Sequence, residues 1–267
     1  MKNFFEINRA LAAKKHFFHS FILSLFMSAI VLGMASCGDG NEPEQKISGK
    51  FTVNNEGKQV YFAKGNVKQT SDGKYSFFDN QWEYTGERDH FPKDLFNWDA
   101  TEGAVKDRNN WRVLTRNEWW YLFRLRDNAE KLFAHATITI DEKDIHGLII
   151  LPDNWQTPDG IDLKTAEQMG FDWNSGDDKY IHPETAFDGY GKNKYDLNKW
   201  KTLESAGAVF LPATYQLNNF GWYWSSTDIG NGAFEFSWST STLNLMCLKI
   251  DQTKKDYASI RLVQDVE

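Results

Sequence analysis

The spacing of short apolar runs is the feature that most constrains how this chain can fold. From residue 50 onward, apolar or alternating runs are separated by turn-forming Asn, Asp and Gly residues, as at 54–57 and 71–73. Two segments carry the helical period instead. We therefore expect an α+β fold with mixed, mostly antiparallel sheets, two main helices and long loops. The predicted strands are 51–53, 59–63, 74–78, 132–140, 145–151, 208–212, 222–227, 233–238, 243–250 and 258–263.

The first predicted helix begins at a capping signal. Thr115 is followed three residues later by Glu118, the spacing of a capping box. We expect the helix to run over 116–127. Trp119, Leu122 and Phe123 fall on one face of this helix, so we expect that face to be buried in the core.

The second predicted helix begins after Asp196, which serves as its N-cap. It carries Leu197, Trp200 and Leu203 on one side. Gly207 supplies the left-handed stop at its end.

The fourth and fifth predicted strands should form a hairpin. We centre its turn on residues 142–143, a register that pairs His146 with Thr139 and His135 with Ile150. The two histidines are then offset along the ladder. We interpret both as surface histidines and expect no metal shared between them.

The N-terminus carries an export signal. Basic residues precede an apolar stretch over 17–32, and small residues lead to Cys37. A Cys directly after Ala-Ser resembles a bacterial lipobox, in which the Cys is lipidated and becomes the new N-terminus. The alternative is an uncleaved anchor helix, although the stretch falls short of the ~20 residues that span a bilayer. We therefore predict a lipoprotein signal peptide at 1–36, a flexible tether at 37–48 and a single domain at 49–267.

The segment after Cys37 predicts where the protein resides. It is polar and acidic, as a tether should be. Acidic residues at this place resemble the surface-export signal of Bacteroidetes-type lipoproteins. We expect a protein anchored in the outer membrane by the lipid on Cys37 and facing the cell exterior.

The net negative charge of the chain limits which partners it can bind. The whole chain has a net charge of −7. Residues 1–36 hold four of the 30 basic and one of the 37 acidic residues, so the remainder has 26 against 36, a net charge of −10. Nucleic acid is not an expected partner, because phosphate contacts need a basic face. Contact with a membrane has to come from the lipid.

Several segments, in order, resemble one family, the Fibrobacter-type "major paralogous domain" lipoproteins. The resemblance covers about residues 50–265, and Leu114 is a small departure from the family pattern. It implies a C-type-lectin-like fold, distantly similar to formylglycine-generating enzymes, with long loops that present a ligand surface. It implies no reaction. The matching segments are 111–115, 118–119, 147–155, 207–212, 222–227 and 259–263.

No arrangement in the sequence indicates catalysis. Formylglycine-generating enzymes use a pair of cysteines, whereas Cys247 stands alone in an apolar predicted strand and is interpreted as inert. Ser225 and Ser226 lack a G-x-S-x-G elbow. The acidic residues are too numerous to single out a glycosidase pair. We assign no catalytic residue and expect a protein that is not an enzyme.

We expect no cofactor, with calcium as the alternative. Residues 172–178 place several oxygen ligands in one loop, and Asp153 with Asn154 adds another pair. The spacing does not match an EF-hand, and the Glu-Pro-Asn triplet of sugar-binding lectins is absent. No residue is assigned to a metal.

Aromatic residues carry the functional prediction. The chain has 11 Trp, 10 Tyr and 20 Phe, and many of them lie in the C-terminal third beside Asn, Ser and Thr. Strand alternation sets Tyr223 opposite its Trp neighbours, so one face should be core and the other is a candidate for exposure. Such aromatics stack on sugars or bury in a protein partner, unless every Trp is core. The predicted ligand-binding residues are Asn218, Asn219, Trp222, Asn231 and Trp238.

These observations favour a surface-exposed lipoprotein binding module that recognises a glycan or protein ligand through its C-terminal loops. Two alternatives stay open. One is a hydrolase-like enzyme that uses the long polar segment 152–195 as a cleft. The other is a structural or adhesive surface subunit.

Overall fold

The computed structural model describes residues 45–84, 94–106, 108, 110–169, 189–214, 220–228, 230, 233–238 and 257–267. Gln45–Glu267 form one compact unit. Cys37, the predicted signal peptide at 1–36 and the predicted strand 243–250 with Cys247 lie outside the described residues. Within the described ranges, no helix has the length and apolarity needed to cross a membrane.

The described residues form short strands and short helices. The strands are β1 (Phe51–Thr52), β2 (Gln59–Phe62), β3 (Val67–Gln69), β4 (Tyr75–Phe77), β5 (Trp111–Val113), β6 (Phe133–Ile140), β7 (Lys143–Ile150), β8 (Lys194–Asp196), β9 (Val209–Pro212), β10 (Gly221–Asp228), β11 (Ala233–Trp238) and β12 (Leu262–Asp265). The helices are α1 (Ala100–Val105), α2 (Arg116–Trp120), α3 (Gly189–Lys192) and α4 (Leu197–Ser205). The predicted α+β class with mostly antiparallel sheets is confirmed.

Two four-stranded sheets form the frame. One has the order β1-β2-β12-β5 and is antiparallel throughout. The other has the order β8-β6-β7-β9, in which only β8 runs parallel to its neighbour. Two-stranded ribbons, β3-β4 and β10-β11, complete the described strands. The β8-β6-β7-β9 sheet has a hydrophobic core on each face, which is why residues 147–151 and 208–212 read as apolar runs.

The first predicted helix has the expected start and the expected buried face. The Thr115 hydroxyl accepts from the Glu118 backbone N–H at 3.2 Å, and the Glu118 carboxylate accepts from the Thr115 N–H at 2.8 Å. Trp119 and Leu122 are buried in the core between the two sheets. α2 continues as a π-helical turn over Tyr121–Leu125, which ends the helical segment two residues before the predicted boundary.

The second predicted helix, α4, is confirmed at both ends. The Asp196 carboxylate accepts from the Lys199 N–H at 2.9 Å. Gly207 has φ of +95°, the left-handed conformation expected of the stop. Trp200 and Leu203 are buried against the β8-β6-β7-β9 sheet, as their spacing predicts.

The predicted hairpin register is wrong by two residues. Asp141 and Glu142 both have positive φ, so a two-residue turn closes the hairpin and pairs His146 with Thr137 and His135 with Leu148. The surface interpretation of the histidines also fails. His135 is completely buried and His146 is half-buried, because Tyr190 packs over both rings.

The folded domain begins earlier than predicted. Residues 45–48, which the sequence assigns to the tether, are fixed on β2: the Ile47 N–H donates to the Phe62 carbonyl at 2.8 Å, and Lys46 bridges to Ala63. Ile47 is buried in the core. The rest of the predicted tether lies outside the described residues.

The long segment 152–195 is mostly irregular where it is described, as predicted. Its end is tied to the sheet by Asn193, a buried residue. The Asn193 amide donates to the backbone carbonyls of His135 and Lys164, both at 2.8 Å. This anchor leads directly into β8, a parallel edge strand that the sequence does not predict.

Candidate functional site

Two of the five predicted ligand-binding residues are described, and both lie in the β10-β11 ribbon. Trp222 is half-buried and Trp238 is buried. Asn218, Asn219 and Asn231 lie outside the described residues.

The prediction that Trp238 binds ligand is wrong. Trp238 is 1% exposed and stacks on Tyr223, with ring centroids 5.4 Å apart. Phe236 and Trp238 share the Tyr223 face of the ribbon, which packs into the core between the sheets. Trp224, on the other face, is buried in a separate core. Alternation correctly groups the residues by face, but the Tyr223 face is core and Trp224 is covered on the opposite face.

Trp222 occupies a different environment from its aromatic neighbours. It lies on the same face of β10 as Phe220 and Trp224, and exposure decreases along that row. Phe220 is 39% exposed, Trp222 is half-buried, and Trp224 is 1% exposed. The row therefore runs from the surface into the core.

The backbone of Trp222 is held on both sides. The Trp222 N–H donates to the Thr214 hydroxyl at 2.8 Å, and the same hydroxyl donates to the Trp222 carbonyl at 2.9 Å. That carbonyl also accepts from the Ser259 N–H at 2.9 Å. The half-buried indole thus projects from a fixed backbone.

Buried polar groups hold the ribbon from beneath. The Tyr223 hydroxyl donates to the Pro212 carbonyl and accepts from the Asn66 amide, both at 2.9 Å. Burial raises the pKa of Tyr223 above its usual range, with a smaller opposing effect of the Arg261 guanidinium. The phenol therefore stays neutral and acts as a hydrogen-bonding link between strands.

Arg261 is a second buried anchor. Its guanidinium donates to the Phe210 carbonyl and, at 3.3 Å, to the Gln81 side-chain oxygen. Burial lowers the pKa of Arg261 to about 10. The Gln81 amide donates in turn to the Glu204 carboxylate at 2.9 Å, so the amide links the buried cation to an acidic residue of α4.

A cleft of mixed polar and apolar lining lies at the start of segment 152–195, around Asp153. Its volume is about 470 Å³. Asp153 Oδ2 accepts from the Thr52 N–H at 2.8 Å, from the Thr52 hydroxyl at 2.7 Å and from the Gln59 amide at 2.9 Å. The lining residues are Ser48, Gly49, Lys50, Gln59, Pro152, Asp153, Asn154 and Ala206.

Arg126 is the buried counter-ion of Asp153. Its Nη1 atom lies 3.3 Å from Asp153 Oδ1, and its guanidinium also donates to the carbonyls of Leu151 and Leu132 at 3.0 Å each. Burial lowers the pKa of Arg126 to about 10, against the opposing attraction of Asp153. The environment of Asp153 is made of hydrogen-bond donors and a cation, which suits a fixed carboxylate better than a calcium ligand.

The structure brings no metal-ligating group together in the parts of the chain that it describes. Within those ranges, no three His, Cys, Asp or Glu side chains cluster in a way that could hold an ion. The acidic loop 172–178 lies outside them.

Sequence reasoning missed Thr214 and the Ser48–Gln59 side of the cleft. Thr52 and Asp153 are 101 positions apart along the chain, and no local pattern links them. Asp153 with Asn154 was visible as a pair of oxygen ligands, but not the arginine behind it.

The fold and these contacts define an α+β protein with an aromatic edge, formed by Phe220 and Trp222, and a cleft around Asp153. No protein-family model matches the chain, and no curated protein or solved structure is significantly similar to it.

Proposed function

We propose that this protein is a lipid-anchored binding module of the cell surface that recognises a glycan or protein ligand at the exposed end of β10. The anchor is the lipid on Cys37, in the outer membrane and facing the exterior. The finer fold that we propose is C-type-lectin-like, on the strength of the resemblance to the major paralogous domain lipoproteins.

The observation that carries the proposal is the row from Phe220 to Trp222. A binding surface gains affinity when its aromatic groups are partly exposed and already fixed, because little conformational entropy is then lost on binding. Trp222 is half-buried, and hydrogen bonds with Thr214 and Ser259 fix its backbone. An indole in this position can stack on a sugar ring or enter a pocket of a protein partner.

The polar partners of this surface are predicted from sequence alone. In the sequence, Asn218 and Asn219 directly precede Phe220, and Asn231 falls between β10 and β11. Amide groups beside an aromatic platform provide both donors and acceptors for ligand hydroxyls or backbone groups.

Glycan and protein arrays probed with the domain from residue 45 test this function. That fragment contains all three hydrophobic cores. Trp222→Ala and Phe220→Ser should each weaken binding to the retained ligand at least tenfold, because aromatic anchors dominate interface energies. Trp120→Ala is the matched control, since Trp120 is also half-buried but lies on α2. It should bind like the parent protein.

Two results would overturn the proposal. One is a domain that retains no ligand on either array although it unfolds cooperatively. The other is a loss of binding in Trp120→Ala as large as in Trp222→Ala. Phe220→Ser guards against a folding artefact, because the Phe220 side chain is exposed.

A further inference from the structure

The cleft around Asp153 has the size and walls of a small-ligand site. Its volume of about 470 Å³ lies within the range of such sites, roughly 300–1,000 Å³. We propose that it binds a neutral, polyhydroxylated small molecule, such as a single sugar unit or a disaccharide. This site goes beyond the function proposed above, since it uses neither Trp222 nor the C-terminal loops.

The walls of the cleft are fixed by contacts between distant parts of the chain. The Asp153 N–H donates to the Lys50 carbonyl at 3.1 Å, while its carboxylate is bound to Thr52 and Gln59. A Cβ atom on Gly49 would lie 2.3 Å from the Gly207 carbonyl oxygen. The backbone at Gly49 therefore packs directly against the backbone at Gly207, just after α4. A ligand would meet a surface that is already formed.

The groups that face the cleft include both donors and acceptors. Both oxygens of Asp153 are already engaged, Oδ1 by the Thr52 N–H at 3.1 Å and by Arg126 Nη1 at 3.3 Å, so the polar partners of a ligand are the neutral side chains around it. The Ser48 hydroxyl and the Asn154 amide are exposed and make no side-chain hydrogen bond within the described residues. Both can turn towards a ligand. The Gln59 amide donates its N–H to Asp153, and its oxygen is an acceptor.

The charges in the cleft favour a neutral ligand. Arg126 already balances Asp153 from the buried side, so the carboxylate does not require a cation in the ligand. The Lys50 ammonium lies over the Tyr61 ring, 5.9 Å from its centroid, so neither charge calls for a counter-ion from the ligand. Pro152 and Ala206 contribute to an apolar part of the lining that is about as large as the polar part, which suits a ligand that has C–H faces as well as hydroxyls. A polyol matches this set of groups.

Saturation-transfer NMR on the full chain in detergent tests the proposal. The probes are the methyl glycosides of glucose, galactose, mannose and N-acetylglucosamine. At least one should show transfer, and Ser48→Trp and Asn154→Leu should each reduce its affinity tenfold or more by filling the cleft or removing the amide. Both positions are exposed, so the fold should persist, and thermal unfolding checks this.

Two controls separate this site from the aromatic edge. Asn198→Leu makes the same substitution on the exposed face of α4, and Trp222→Ala removes the proposed anchor. Both should leave the transfer unchanged. Loss in Trp222→Ala alone would place the sugar at β10, which overturns the cleft proposal and supports the proposed function.

Three further results would also overturn the cleft proposal. The first is no transfer from any glycoside at tens of millimolar. The second is transfer that persists in both cleft variants. The third is displacement of the glycoside by acetate or methylammonium at equal concentration, which would indicate a site for a charged ligand.

Discussion

Gly221 lies directly opposite Trp238 in the β10-β11 ribbon, and the Trp238 indole occupies the space that a side chain on Gly221 would need. A Cβ atom at Gly221 would lie 2.0 Å from Cζ2 of that ring. The missing side chain is what allows Trp238 to lie flat in the core and stack on Tyr223.

Gly221→Ala should therefore destabilise the fold through overpacking, by about 1–3 kcal/mol in the free energy of unfolding. Denaturant unfolding measures the change. In the Gly221→Ala, Trp238→Leu double variant, the effects should not add, because the smaller side chain relieves the clash. Additive effects would show that the glycine is needed for another reason.

Two substitutions at the start of α2 compare the stability that a local hydrogen bond contributes with the stability that core packing contributes. Thr115→Ala removes one capping hydrogen bond and should cost about 1 kcal/mol. Trp119→Ala empties a core site that Phe236 stacks upon at 4.9 Å, and should cost about 3–5 kcal/mol. Thermal melts that ranked Thr115→Ala as the more harmful change would contradict the burial of Trp119.

The environment of His146 predicts a loss of stability on mild acidification. Burial, with a smaller effect of Lys194, lowers the pKa of His146 below 6.5, while Asp144 opposes the shift. Below pH 6.5 the unfolded chain takes up a proton that the folded protein resists, so the free energy of unfolding falls as the pH drops from about 7 towards 5. His146→Gln should flatten this part of the curve.

The carboxylate of Asp144 provides an internal control for the pH dependence of stability. Hydrogen bonds from Lys194 and Thr139 lower the pKa of Asp144 below 3.8. The stability that Asp144 contributes is therefore present above pH 3.8 and lost only as the pH falls below it. If His146→Gln changes the curve only below pH 4, the effect assigned to the histidine is absent.

The proposed lipid anchor can be tested at Cys37, the residue expected to carry the lipid. Cys37→Ser should remain unprocessed or soluble when expressed in a bacterial host that modifies lipoproteins. Metabolic labelling with a palmitate analogue should mark the parent protein and not the variant. Incorporation of label into Cys37→Ser would contradict the lipobox interpretation.

Local hydrogen bonds account for what the sequence determined by itself. The capping hydrogen bonds at the start of α2 and α4 join residues only three positions apart, Thr115 with Glu118 and Asp196 with Lys199. The residue types alone therefore establish where both helices begin. The burial of Trp119 and Trp200 also follows from sequence, because helical spacing defines one face and the polar residues define the other.

Tertiary structure decided which faces are covered, which is why the candidate site was only partly predictable. Trp222 and Trp238 look alike in sequence, yet Trp238 is enclosed by the core between the sheets, whereas Trp222 lies near the edge. His135 is buried because Tyr190, far along the chain, packs on it. Asp153 meets Arg126 and Thr52 only in the folded protein. Alternation fixes the side of a strand on which a residue lies, but burial depends on which distant segment packs there, and no local pattern encodes that.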